Sequence, residues 1–326
     1  MIYIETGSDN VYHNFGLELY FAAEKKLDEP VLLFWRTTPT LMVGKYQNTL
    51  EEINQSYAEQ HGIQVVRRLS GGGTIYTDPG GWQFTFIDYN EDAQITFTQY
   101  IAPVVDALRA LGVPAEFNGR NDLVIDGKKF SGNAQYKQGG TTVHHGSLLF
   151  DTDIAQMVAS TTVDPYKILS KSIKSVRDRV TNISEHLPQP MDTDAFKRHM
   201  VRYLMRGSER VYTPTEQDLA RIRQLASERF DNWQCKYGAN PKFEIVKTGR
   251  FAGGKMEFRL TVKKGVIQDA AVSGDYFAAE RADRLAQCVI GCAYERTAVL
   301  AALQNANMDG AVYGVSAAEI AMLITE

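Results

Sequence analysis

Apolar positions in the first 150 residues fall into short runs bounded by glycine, proline or acidic turns, the signature of strands interleaved with a few helices. Ile2 to Glu5 alternates as a strand. Asn10 then stands where an N-cap belongs, before a helix that carries Val11, Phe15, Leu19, Ala22 and Ala23 at helical spacing. Val31 to Arg36 and Thr40 to Lys45 read as buried strands, separated by the Thr38-Pro39 turn, and a helix from about Glu51 to Gly62 leads to a strand over Ile63 to Arg68. Thr74 to Thr77 and Trp82 to Ile87 are two strand-like pieces joined by the Asp-Pro-Gly-Gly turn at Asp78 to Gly81. A helix from about Phe97 to Leu111 precedes three strands, Asp122 to Asp126, Lys129 to Lys137 and Thr141 to Phe150.

Beyond Asp151 the period becomes helical as far as about Phe230, broken at Leu187 to Pro190. Asn232 to Pro241 has the Asn, Gly and Pro content of a linker. Two strands flanking Gly253-Gly254, a third after Gly265 and two closing helices then form a second small unit. The fold class expected is α+β, with central mixed and antiparallel sheets flanked by helices. Two domains are expected, residues 1–235 and 236–326.

Composition narrows the partners. Lys plus Arg number 35 against 39 Asp plus Glu, so a net charge of −4 gives no general attraction to nucleic acid or anionic membranes, and any anion site must be local. No stretch is long and apolar enough to span a bilayer, and the N-terminus lacks a signal peptide's basic head and apolar run, so a cytoplasmic location is expected. Cys235, Cys288 and Cys292 are an odd set without a nearby histidine or cysteine cluster, which suits buried thiols in a reducing compartment.

Three stretches carry candidate chemistry. In Arg67-Arg68-Leu69-Ser70-Gly71-Gly72-Gly73-Thr74, bare backbone amides and a forked guanidinium suit a phosphate, although a tight hairpin with solvated arginines reads equally well from the residues alone. In Gly119-Arg120-Asn121-Asp122 followed by Lys128-Lys129-Phe130-Ser131-Gly132-Asn133-Ala134, a strand lysine beside small residues can touch a carboxylate and an α-phosphate together. Alternation places Lys128 and Lys129 on opposite faces without choosing between them. In Val143-His144-His145-Gly146-Ser147-Leu148-Leu149-Phe150, one histidine can face a site, while a hydrogen-bonded structural role is the commoner case.

Taken together, these stretches resemble the lipoate–protein ligase A family. Its Arg-Arg-x-Ser-Gly-Gly-Gly run stands at Arg67 to Gly73, its Arg-Asn-Asp-Leu at Arg120 to Leu123, its Lys-x-Ser-Gly at Lys129 to Gly132, and its His-His-Gly-x-Leu-Leu at His144 to Leu149. Asn14 to Glu18, Val43 to Asn48, Ser175 to Arg177 and Arg179 to Asn182 are similar as well, and the C-terminal unit resembles the family's accessory domain. One departure is Thr77-Asp78-Pro79-Gly80-Gly81, where the family has His-Asp-x-Gly-Asn.

The resemblance implies a biotin/lipoate ligase-like catalytic domain and a two-step reaction: lipoate and ATP give lipoyl-AMP and pyrophosphate, then the lipoyl group passes to a lysine of an acceptor protein. The expected acceptor is an E2 lipoyl domain of a 2-oxoacid dehydrogenase or a glycine-cleavage H-like protein, with Mg2+ as cofactor. The resemblance makes Lys129 rather than Lys128 the catalytic residue. Arg68, Ser70, Gly71, Gly72, Gly73, Thr74, Ile75, Tyr76, Asn121 and Asp122 are the residues expected to meet ATP and lipoyl-AMP, and the Asp122 carboxylate suits a base, a turn cap or a metal ligand equally. Two alternatives remain. An ATP-independent lipoyl or octanoyl transferase of the thiol-dependent type needs a cysteine within the catalytic module, and the first here, Cys235, follows every motif. A non-catalytic lipoyl-domain-binding protein would not need Arg68, the glycines and Lys129.

Overall fold

The computed structural model describes all residues except 48, 90–95, 162–174, 237–244, 264 and 326. Its centre is a seven-stranded mixed sheet in the order β1-β2-β6-β10-β9-β8-β7. These strands are β1 (Ile2–Ile4), β2 (Val31–Trp35), β6 (Gly81–Asp88), β7 (Glu116–Phe117), β8 (Asp122–Ile125), β9 (Lys128–Gln138) and β10 (Thr141–Leu149). Only β1 and β2 pair in parallel. A three-stranded sheet of β3 (Thr40–Val43), β4 (Gln64–Arg67) and β5 (Ile75–Thr77) has β3 at its middle.

The apolar run Val31 to Trp35 is explained by burial on both faces. Val31, Leu33 and Trp35 pack with α1 (Val11–Ala23), whereas Leu32 and Phe34 pack with a helix at Thr98–Ala110. Asn10 caps α1 as expected, its Oδ1 accepting from the amides of Tyr12 and His13 at 2.9 and 3.1 Å.

Three expectations change. The single helix from Glu51 to Gly62 is two short helices, α2 (Thr49–Glu52) and α3 (Gln55–Gln60), because Asn54 caps the second by accepting from Tyr57 N at 3.1 Å. The pieces on either side of Asp78 to Gly81 lie in different sheets, so that turn passes the chain between sheets rather than closing a hairpin. The strand β7 carried no periodic signal in its two residues.

After α4 (Thr98–Ala110) come α5 (Ile154–Thr161), α6 (Thr193–Leu204), α7 (Glu216–Arg229) and the short α8 (Trp233–Lys236). The segment expected to be a linker therefore begins as a helical turn, and residues 237–241 lie outside the described set. The carboxy-terminal segment forms an antiparallel sheet of β11 (Ile245–Phe251), β12 (Gly254–Lys263) and β13 (Val266–Gly274), followed by α9 (Leu285–Val289), α10 (Arg296–Asn305) and α11 (Ala317–Thr325). That is one helix more than the pattern showed. Most of its buried residues form a core of their own, Met256 to Ile324, while Phe277 and Tyr313 pack into the core of the central sheet and Tyr46 packs against the carboxy-terminal one.

Candidate active site

Lys129 is the second residue of β9, where the ladder with β8 slips. Asp122 faces Gly132 and Leu123 faces Ser131, but Val124 faces Lys129, leaving Phe130 as an extra residue in a bulge. Simple alternation therefore fails at this point. Lys128 stays exposed and lines no cavity, whereas the Lys129 ammonium lies 2.7 Å from Asp122 Oδ1. A Cβ on Gly132 would come within 3.2 Å of Lys129 Nζ, so this glycine makes room for the ammonium. The backbone of Lys129 is held from the other side by Arg179 O and Thr181 N, at 2.8 and 3.0 Å.

Two cavities meet there. The first, about 100 Å3, is lined by the apolar Phe15, Trp35, Met42 and Ile75 and by the polar Asn121, Asn133 and Lys129 among others. The second, about 290 Å3, is walled by Tyr76, Phe130, Leu149, Met157, Val158 and Val180. Thr74, Ile75, Lys129, Gly132 and Ser147 belong to both.

Arg68 is buried beside the first cavity, and its donors are committed to the protein. Nη1 reaches Met42 O at 2.7 Å, Nη2 reaches the carbonyls of Gly71 and Gly73 at 2.9 and 2.6 Å, and Nε reaches Ser70 Oγ at 3.2 Å. Burial, with Arg67 beside it, pushes its pKa down to about 10, so it remains a cation at neutral pH. The neighbouring Arg67 points away, to the carbonyls of Gly44, Gln47 and Cys235.

Two of the three glycines have a further reason to lack side chains. Gly72, at φ +92°, donates its amide to Tyr276 O at 3.1 Å, and a Cβ on Gly71 would lie 1.9 Å from that same oxygen. Gly73 is open on the cavity side, with no atom within 4 Å of its would-be Cβ. Phe277, from the carboxy-terminal segment, completes a wall of the first cavity, and Arg120 stacks on its ring at 5.8 Å. The sequence offered no signal for this, because Phe277 lies outside every motif.

Asn121 and Asn133 exchange hydrogen bonds between side-chain amides and backbone carbonyls, both at 3.0 Å, and both line the first cavity. The two histidines take opposite faces of β10. His144 is enclosed by Phe84, Phe97 and Tyr100, and burial, with His145 next to it, holds its pKa well below the usual imidazole value. His145 lines the first cavity, with Nε2 2.6 Å from Ser70 Oγ and Nδ1 3.2 Å from Glu18 Oε2. Phe15, Trp35, Met42, Gln83 and Asn133 line it too without having been singled out. Phe15 lay in the quoted stretch Asn14 to Glu18 and Asn133 in the quoted stretch ending at Ala134, whereas Trp35, Met42 and Gln83 read as ordinary strand interior.

Among the described residues no three His, Cys, Asp or Glu side chains form a group that could hold a metal. Asp122 fits as a lone carboxylate ligand, the usual protein share of an Mg2+ site whose other ligands are phosphate and water oxygens.

A lysine in the wall shared by two cavities, beside a glycine loop, is the centre of the candidate site. Residues 10–205 match the family described as the lipoyl protein ligase A/B catalytic domain, and residues 240–324 match the bacterial lipoate protein ligase C-terminus. The chain is 41% identical to the lipoate-protein ligase LplJ of Bacillus subtilis over 90% of its length and 91% of that protein's. It is 37% identical to lipoate–protein ligase 1 of Staphylococcus aureus, covering 86% of this chain and 87% of the relative. Its fold matches the structure of P. falciparum LipL1 in complex with lipoate, with a TM-score of 0.77 at 21% identity over 93% of this chain and 94% of that one. The bipartite ligase of Thermoplasma acidophilum, solved with attention to its E2 lipoyl domain, matches at a TM-score of 0.65 and 25% identity over 75% of this chain and 98% of that one. The chain belongs to the lipoate–protein ligase family, and its members are enzymes of the ligase class.

Proposed function

We propose that the protein activates lipoate with ATP and transfers the lipoyl group to a lysine of an acceptor protein. The observation that carries this reading is the position of Lys129, in the wall shared by two cavities. The acyl tail lies in the first cavity against Phe15, Trp35 and Met42, which places the carboxylate toward Lys129. The nucleotide takes the second, its base among Tyr76, Phe130 and Val158 and its α-phosphate at Lys129. A carboxylate oxygen attacks the α-phosphorus and pyrophosphate leaves. Lys129 then exchanges Asp122 for the two converging anions, offsetting their repulsion as the bond forms. Bound Mg2+, held by Asp122, would neutralise charge on the phosphates.

In the second step the acceptor lysine's amine attacks the acyl carbon, AMP departs and an amide forms. An E2 lipoyl domain or a glycine-cleavage H-like protein fits as acceptor, the former supported by the archaeal relative's pairing with its E2 lipoyl domain. A thiol relay finds no support, since Cys235, Cys288 and Cys292 line neither cavity. Three free thiols also favour a reducing cytoplasmic setting. We divide the chain near residue 235 into catalytic and accessory domains, on the largely separate core of the carboxy-terminal segment.

The test is to incubate the protein with ATP, Mg2+, lipoate and apo acceptor domains while following acceptor mass and AMP together. A lipoyl mass gain with one AMP per amide is expected. Acceptor modification without ATP would replace this reading with acyl transfer.

A further inference from the structure

Two buried charges beside the first cavity lack the partner that burial ordinarily demands. Glu18, 1% exposed on the inner side of α1, pairs with no lysine or arginine among the described residues. Arg68, 5% exposed, directs its donors to carbonyls and a hydroxyl rather than to a carboxylate. An isolated ion in a protein interior costs several kcal/mol even after relaxation, so each charge requires an answer.

The answer lies between them. Arg68 Nε donates to Ser70 Oγ at 3.2 Å, Ser70 Oγ is 2.6 Å from His145 Nε2, and His145 Nδ1 is 3.2 Å from Glu18 Oε2. Thr85 Oγ1 and Tyr136 OH donate to the other lone pairs of Glu18, at 2.8 and 3.2 Å. A guanidinium only donates and a carboxylate only accepts, which sets the direction of the chain. Arg68 gives to Ser70, and the His145 ring stands between the Ser70 hydroxyl and the Glu18 carboxylate with one nitrogen toward each.

We infer that Glu18, His145 and Ser70 form a positioning relay that supplies Arg68 with its counter-charge and thereby sets the loop Ser70 to Gly73 for the acyl-adenylate. Nη2 of Arg68 holds the carbonyls of Gly71 and Gly73 and Nη1 that of Met42, so a turn of the guanidinium is a change of loop shape. The His145 ring also lines the acyl cavity, which ties the loop to the place where the tail lies. Glu18 and Ser70 line neither cavity and act through their neighbours.

The relay rests on the ligase reading, and the experiment separates the two. Wild type, Glu18→Gln, Glu18→Asp, Ser70→Ala and the double variant Glu18→Gln/Ser70→Ala are titrated with a non-hydrolysable lipoyl-adenylate analogue, with thermal midpoints measured alongside. Each of Glu18→Gln and Ser70→Ala weakens binding by about tenfold, the scale of a hydrogen bond to a charged group. The double variant falls within about twofold of the weaker single one, because both cut one chain. Glu18→Asp, which keeps the charge, binds better than Glu18→Gln.

Losses that multiply in the double variant would overturn the relay, as would Asp and Gln variants that bind alike. Should Glu18→Gln not fold, Ser70→Ala decides alone: a loss of about tenfold supports the relay, and wild-type affinity overturns it. A wild type that does not bind the analogue removes the ligase reading and the relay with it.

Discussion

Lys129 and Lys128 are adjacent in sequence and unequal in surroundings. Only Lys129 faces the shared wall and carries an ion pair, with Asp122. Lys129→Ala is expected to reduce lipoyl-AMP formation by about a hundred- to a thousandfold, the rate equivalent of about 3–4 kcal/mol of lost charge stabilisation, while Lys128→Ala stays within a few-fold of wild type. Pyrophosphate exchange measures both, and a dead Lys128 variant beside an active Lys129 variant would reverse the assignment. Replacing Cys235, Cys288 and Cys292 together by serine is expected to leave transfer largely intact. A folded triple variant without transfer activity would argue for a thiol relay. The choice between the two lysines was not legible from strand alternation, because alternation sets them on opposite faces without saying which face meets the cavities.

At the scale of elements, α1 and α7 are pinned together by one buried carboxylate. Lys25 Nζ and the hydroxyls of Tyr20 and Tyr212 converge on Asp218, which also closes the capping box of α7 with Thr215. Burial alone would raise this carboxyl, but hydrogen bonds from Lys25, Tyr20 and Tyr212 outweigh it and hold its pKa well below the usual carboxylate range. A folded pKa below the unfolded one means that the contribution is complete above about pH 4 and is lost as pH falls further toward the folded value. Asp218→Asn is therefore expected to lower the thermal midpoint at pH 7, with the gap to wild type narrowing in acid. A gap that widened in acid would contradict the sign.

The glycine loop gives the companion prediction. Gly71→Ala places a Cβ where Tyr276 O now lies and is expected to cost about 1–3 kcal/mol, felt as faster hydrogen exchange around Tyr276 and Phe277. Unchanged exchange there would mean that the carboxy-terminal segment does not rest on this loop in solution.

For the whole molecule, the contacts between the carboxy-terminal segment and the site are few and specific. Gly72 N donates to Tyr276 O at 3.1 Å, Gly274 N to Tyr46 O at 2.7 Å, and Lys45 pairs with Asp283 at 2.6 Å. Tyr46 and Tyr276 stack with ring centroids 4.4 Å apart. The first chemical step benefits from exclusion of water, whereas the second must admit a protein-borne lysine, so one rigid geometry serves both poorly. We expect lipoyl-AMP to change the solution scattering profile as the segment reorients. Curves that superimpose while binding is confirmed would make the segment a fixed buttress.

The strand runs, the cap of α1 and the four motifs in register were legible in the chain alone, and the resemblance pointed to Lys129 as the candidate catalytic lysine. These depend on local backbone preference and residue chemistry, which neighbours in the chain carry. What those residues face is set by packing between distant parts of the chain. From the residues alone, Arg68 and the glycines read equally well as a phosphate cradle or a tight hairpin, and the fold adds that Arg68 holds the loop from within while Gly71 and Gly72 accommodate Tyr276. Phe277 reaches the first cavity from 130 residues beyond Ser147, the nearest lining residue before it in the chain, a contact made by packing alone. Glu18 and Arg68 are 50 positions apart, and no periodicity links them. Burial of both charges at one place forces the bridge through Ser70 and His145, because an interior charge must be met by whatever donors and acceptors the fold brings to it.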